Sequence, residues 1–284
     1  MAQAVFLLAE KAARARGAER FLGGWRLEAD RYPVEKGTTL SVGSYYENYW
    51  KQGLGHWSPR GQPLPPYEAA FFDAYITQDT KVLDFGCGDG QALGRYVHSR
   101  RADYLGADVS NTCVQDCRNA GLNAVVFDPA QDWPWHQAFD VIVAREVLEH
   151  LFDPADIAAR IRASLRHDGA FVGSVPNVAF IPNRLYLAAG VFNAGGSPTT
   201  STKRPWIDPH IRFFTVKSLR NMLSEAGFRV MVVAGEPFSF RHLPVLYKLE
   251  GRSADYLDRI SRPIEWLGPA LPRLFARRLY FAAR

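Results

Sequence analysis

The chain has 284 residues, 47% of them hydrophobic, and a formal net charge of +5 at pH 7. Those figures fit one large domain with additions rather than two independent ones, and no apolar run approaches the roughly 18 to 20 residues that span a bilayer. Three cysteines, Cys87, Cys113 and Cys117, lack CxxC spacing, so reduced side chains in the cytoplasm are expected rather than a metal or redox pair.

Residues 3–22 place Val5, Leu8, Ala12 and Ala15 at helical spacing, a helix that would pack on the domain or on a second subunit. The apolar patch Ala4–Ala9 is too short for a signal-peptide core, and its basic residues follow it. Residues 44–60 then gather Tyr45, Tyr46, Tyr49, Trp50, His56 and Trp57, a pattern that suits a surface helix anchored by aromatics. Glycines and prolines between Gly53 and Pro66 break the structure, so 1–66 reads as an N-terminal helical and aromatic segment ahead of a domain over 67–284. A short helix is expected over Tyr67–Tyr75.

Lys81–Gly90, KVLDFGCGDG, is an apolar run followed by glycines at 86, 88 and 90 and then a helical pattern over 91–99. This predicts strand, tight turn and helix, with the glycines supplying backbone conformations closed to other residues and the helix presenting free N–H groups to a ligand. Further strands are expected near 103–108, 124–127, 139–144 and 169–175, with helices near 111–120 and 154–166. This alternation predicts an α/β, doubly wound, Rossmann-like sheet whose ligands gather beyond the carboxyl ends of its strands. Residues 178–210 form an insertion, and a helix near 216–226 and a strand near 228–234 follow. A second insertion over 236–275 precedes a closing antiparallel strand in RRLYFAAR. Residues 241–284 hold nine basic residues against four acids, an excess equal to that of the whole chain. With its Leu, Ile, Trp and Phe, this segment reads either as a packed cap with solvated arginines or as a weak membrane-surface contact through 236–275. No RNA-binding module is visible, which disfavours nucleic acid, and the oligomeric state stays open.

Taken together, DFGCGDG, GADVS, VVFDP and FDVIVAREVLEHL resemble, in order and spacing over Lys81–Leu151, a class I S-adenosylmethionine-dependent methyltransferase. The resemblance implies a seven-stranded, mostly parallel sheet with an antiparallel last strand, and S-adenosylmethionine as cofactor. It implies that Gly86, Cys87, Gly88 and Gly90 hold the methionine part, with Asp84 beneath. Asp108 and Val109 would meet the ribose, Asp128 and Pro129 the adenine, and Arg145 would also face the cofactor. It places Tyr45, Tyr46, Tyr49 and Trp50 in a lid, so lid and anchored surface helix both stand as readings of that stretch. The glycine spacing GxGxG, rather than GxGxxG, sets aside a nicotinamide dehydrogenase.

An alcohol acceptor needs its proton removed or its oxygen made more nucleophilic. Glu146, Glu149 and His150 stand at i, i+3 and i+4, which on a helix share one face, and His210 follows the first insertion. Two carboxylates and two histidines suit a divalent ion. The pattern is similar to the metal-dependent small-RNA 2′-O-methyltransferases and coenzyme Q O-methyltransferases, which implies Glu146, Glu149, His150 and His210 as ligands of Mg²⁺ or another divalent ion. His150 or His210 as an unassisted base is the alternative, and EVLEHL with purely structural acids is a third. SVPN and DPHIRFFTVKSLRNMLSEAGF are similar to a broad bacterial branch acting on small molecules, sugars or lipids. The expected activity is therefore O-methylation of a small-molecule, glycan or lipid-linked hydroxyl. RNA 2′-O-methylation and a catalytically silent partner subunit are the competing readings.

Overall fold

The computed structural model describes residues 42–51, 63–192, 208–243 and 252–284. The expected helix over 3–22, and His56 and Trp57, lie outside the described residues, as do parts of both insertions. The strands are Lys81–Phe85 (β1), Asp103–Asp108 (β2), Ala124–Val126 (β3), Phe139–Arg145 (β4), Leu165–Pro176 (β5), Val230–Gly235 (β6) and Arg278–Ala283 (β7). They form one sheet in the order β3-β2-β1-β4-β5-β7-β6. The first five run parallel, and β7 lies antiparallel between β5 and β6.

Helices cover both faces, so the central strands are apolar on both sides rather than alternating with polar residues. In β1, Leu83 and Phe85 face one core and Val82 the other, as the two-residue period of a strand requires. The first core packs the sheet against Pro154–Ser164 and Val216–Glu225 through Ile157, Ile161, Leu219 and Leu223. The second packs it against Pro66–Phe72, Gln91–Ser99 and Asn111–Asn119 through Phe72, Leu93, Val97 and Val114. In chain order Val42–Lys51 is α1, Pro66–Phe72 α2, Gln91–Ser99 α3, Asn111–Asn119 α4, Pro154–Ser164 α5, Ile181–Ala188 α6 and Val216–Glu225 α7. The second insertion contains Arg252–Ser261 (α8), Leu267–Ala270 (α9) and Pro272–Phe275 (α10). Caps are local: Ser110 starts α4, Asp153 starts α5, and Thr215 with Ser218 forms a capping box on α7. Among the described residues no helix is long and apolar enough to cross a membrane.

Two expectations need correction. The fifth strand begins at Leu165, not near 169, because Leu165 pairs with Phe139 before the register shifts at Val141. EVLEHL does not place Glu146, Glu149 and His150 on one helical face. Glu146 is instead in the left-handed region at φ +54°, its N–H donates to Ser174 O at 2.9 Å, and only Leu148–His150 forms a single 3-10 turn. The sheet's hydrogen bonding thus reaches one residue past β4 and delays the helical turn.

Candidate functional site

The chain leaves β1 through Gly86, Gly88 and Gly90, at φ +73°, +55° and +64°. Side chains other than hydrogen are strained there, so the glycine spacing is what allows this turn. Asp108, at the end of β2, pins the loop: Oδ2 accepts from Gly88 N and Oδ1 from Ser110 N, both at 2.9 Å. Burial pushes its pKa up, and these backbone donors partly offset that. Asp84 lies deeper, 3% exposed, and accepts from Tyr104 Oη at 2.9 Å. Burial lifts its pKa to about 7 against the pull of Arg145 and Tyr104. Arg145 is gripped by buried Glu68 of α2, with Nε to Oε1 at 2.7 Å and Nη2 to Oε2 at 3.1 Å. Cys87 donates its thiol to Gly88 O at 3.4 Å, and Cys113 and Cys117 are buried and free on α4. Val109 is half-buried after Asp108, and Asp128 holds the turn through half-buried Pro129 by accepting from Ala130 N at 2.9 Å. The loop, Asp108 and Asp128 therefore stand beyond the carboxyl ends of three adjacent strands.

Helix α1 lies across this loop. Glu47 accepts from Ser110 Oγ at 2.7 Å, Thr112 N at 3.1 Å and Thr112 Oγ1 at 2.6 Å. Desolvation raises its pKa, but the Thr112, Ser110 and Lys51 donors outweigh that and bring it down to about 2. A Cβ placed on Gly88 would come 3.0 Å from the Trp50 ring. Tyr45, Tyr46 and Tyr49 pack on one another, and Tyr46 meets His150 edge-on at 5.8 Å. Trp50 thus lies beside Gly88, and Tyr46 lies against His150.

The acid and histidine cluster follows β4. Glu149 is 1% exposed, and neither carboxylate oxygen has a hydrogen-bond partner among the described residues. His210 Nε2 lies 3.7 Å from its Oε1. The Glu149 carbonyl accepts from Ile211 N and Arg212 N, which fastens the strand end to the segment carrying His210. His210 Nδ1 lies 2.6 Å from Asp208 Oδ1, and His150 Nδ1 lies 3.1 Å from Pro209 O. Both acceptors engage Nδ1, so in each ring that nitrogen carries a proton. The two rings stack at 4.7 Å, and one ligand atom from each of Glu149, His150 and His210 lies within 4.8 Å of the others. Burial, helped by His210, lowers the His150 pKa to about 4, so the imidazole is neutral. Burial first, and the Glu146 charge second, push the Glu149 carboxyl up.

A buried Glu149 carboxyl with both oxygens unpartnered, beside the ring nitrogens of His150 and His210, is a donor set that fits a divalent cation. Glu146 stands apart from these three: its Oε1 lies 3.1 Å from Arg278 Nε, an ion pair outside hydrogen-bond angles. Glu47, Glu68, Asp208 and Arg278 were not singled out from the sequence. Asp208 alone left a local signal, two residues before His210 in DPHIRFFT.

A family model described as a methyltransferase domain matches residues 56–233. The chain is 31% identical over 116 residues to the ubiquinone biosynthesis O-methyltransferase of Methylococcus capsulatus, covering 36% of this chain and 48% of that protein. It is 26% identical over 194 residues to the protein of the same name from Coxiella burnetii, covering 63% and 79%. The chain thus spans about half the length of the first of these relatives. Its fold is similar to the crystal structure of a SAM-dependent methyltransferase from Archaeoglobus fulgidus, with a TM-score of 0.51 at 19% identity over 76% of this chain and 91% of that one.

Proposed function

Because this chain belongs to the methyltransferase family and uses S-adenosylmethionine as its cofactor, we propose that it methylates a hydroxyl oxygen of a small-molecule, glycan or lipid-linked acceptor. The observation that carries the oxygen chemistry is the buried Glu149–His150–His210 cluster, close enough to α1 for Tyr46 to touch His150. The O-methyltransferase names of the two relatives point the same way.

The glycine loop fits the cofactor because Gly86, Gly88 and Gly90 present bare backbone, with Gly88 N–H held by Asp108. Asp108 would accept the ribose hydroxyls, and Asp128 and Pro129 would border the adenine. Gly86, Cys87, Gly88 and Gly90 would cradle the methionine part above Asp84. Glu149, His150 and His210 would hold a divalent ion, which when bound lowers the pKa of an acceptor hydroxyl. Trp50 and the three tyrosines of α1 exclude water from the displacement and so protect the alignment on which its rate depends. The Asp208–His210 contact favours a second reading. An imidazole oriented through Nδ1 can take the hydroxyl proton at Nε2 without a metal.

Calorimetry with S-adenosylhomocysteine, followed by turnover assays on candidate alcohols with EDTA and with Mn²⁺ added back, tests both readings. Turnover abolished by EDTA and restored by Mn²⁺ supports the metal reading, and EDTA-insensitive turnover supports the base. A protein that binds S-adenosylhomocysteine but methylates amines in place of alcohols sinks the O-methyltransferase reading.

A further inference from the structure

A cavity of about 270 Å³ lies where the turn after β6, helix α8 and the start of β7 meet Tyr67 of α2. Its polar groups are incompletely used. His242 Nδ1 has no hydrogen-bond partner among the described residues and lies 4.0 Å from Glu236 Oε1. Arg278 Nε is likewise without a hydrogen bond, although it lies 3.1 Å from Glu146 Oε1. Arg278 thus links the cavity to Glu146, the acid that opens the turn carrying Glu149 and His150. Glu236 is buried and stays charged because Arg277, with Nε 3.2 Å from Oε1, His242 and Arg278 outweigh its desolvation.

A buried polar atom without a hydrogen bond is costly, and at His242 Nδ1 a fitting ligand supplies the partner that the described residues do not. A phosphate or carboxylate would pair with Arg278 but would face Glu236, Asp258 and Glu265, which also line the cavity. A hydrocarbon chain would leave His242 Nδ1 unpaired. Hydroxyls both donate and accept, and so can serve Glu236, His242 and Arg278 together. The rings of Tyr67 and Tyr280, 5.6 Å apart, offer apolar surface to the C–H face of a saturated ring. The volume falls just below the usual range for ligand pockets, roughly 300–1,000 Å³, and suits one such ring rather than a long chain.

We propose that this cavity binds a monosaccharide unit of the acceptor, with His242 and Arg278 reading its hydroxyls and Tyr67 packing on its face. The assignment rests on the reading of this chain as a hydroxyl methyltransferase. The test is saturation-transfer NMR on the full chain saturated with S-adenosylhomocysteine, using methyl glycosides of glucose, galactose, mannose and rhamnose, with catechol as a planar diol. The expected result is saturation of the ring protons of at least one glycoside. It should fall about fivefold, the loss of one neutral hydrogen bond, in His242→Phe, and fall similarly in Tyr67→Ala. Both variants should keep their affinity for S-adenosylhomocysteine; if one fails to fold, the other carries the result. Saturation of catechol alone, no glycoside saturation on protein that binds S-adenosylhomocysteine, or undiminished saturation in the variants overturns the proposal. Absence of S-adenosylhomocysteine binding sinks the underlying reading first, and calorimetry before the NMR separates the two failures.

Discussion

Glu47 on α1 holds Thr112 at the start of α4 by two hydrogen bonds, 2.6 Å to the hydroxyl and 3.1 Å to the amide. These bonds to a charged acceptor tie the aromatic helix to the strand end that carries Asp108. Glu47→Gln removes the charge and should weaken S-adenosylhomocysteine binding about tenfold, the usual contribution of one such bond. The melting temperature should hardly change, since α1 covers the loop without supplying the main cores. Equal affinity in calorimetry would show that α1 does not govern access.

Gly88 and Gly121 both have positive φ, at +55° and +80°, yet their surroundings differ. A Cβ on Gly88 meets Trp50 at 3.0 Å, and one on Gly121 meets nothing within 4 Å. Gly88→Ala and Gly121→Ala should each cost about 1–2 kcal/mol of backbone strain in urea denaturation. Cofactor affinity should collapse only in Gly88→Ala, and a matching loss in Gly121→Ala would contradict the placement of the site.

Asp84 sets a pH dependence. Its carboxyl goes from an ordinary value near 3.8 to about 7 in the folded protein, chiefly through burial. The folded state therefore binds more protons than the unfolded state between those values, and this group's contribution to stability falls as pH rises through that window. Asp84→Asn keeps an oxygen for Tyr104 and lacks the charge. Relative to the parent without cofactor, it should gain on the order of 2 kcal/mol between pH 4.5 and pH 7. A stability difference that stays flat with pH would contradict this account of Asp84.

Asp208 is expected to act on catalysis through His210, whose Nδ1 it holds at 2.6 Å. Asp208→Asn should lower turnover by roughly 10–100-fold while leaving S-adenosylhomocysteine affinity unchanged. Under the metal reading it should also raise the Mn²⁺ concentration needed for half activity. Unaltered kcat and metal response would reduce the aspartate to a structural cap.

The glycine turn was legible in the sequence because its cause is local: three residues without side chains follow an apolar run and precede a helical pattern. The positions of the first four strands were legible for the same reason, since each is a short apolar segment. Glu146 was misplaced because helical spacing cannot register the bond from its amide to Ser174. The start of β5 was hidden in Arg166–Asp168, charged residues that resemble a turn but continue a strand exposed at that end. Glu68 with Arg145, and Glu146 with Arg278, join residues far apart in the chain, and no window of local pattern contains either pair.

Among the described strands, β6 has β7 as its sole neighbour, and β7 follows it by more than forty residues of insertion. During vectorial synthesis β6 must wait, unzipped, until the ribosome has delivered α8, α9 and α10. Until then the outer flank of β5 is also a raw edge, open to pairing with another nascent chain. When β7 slots between β5 and β6 it closes both of those edges at once.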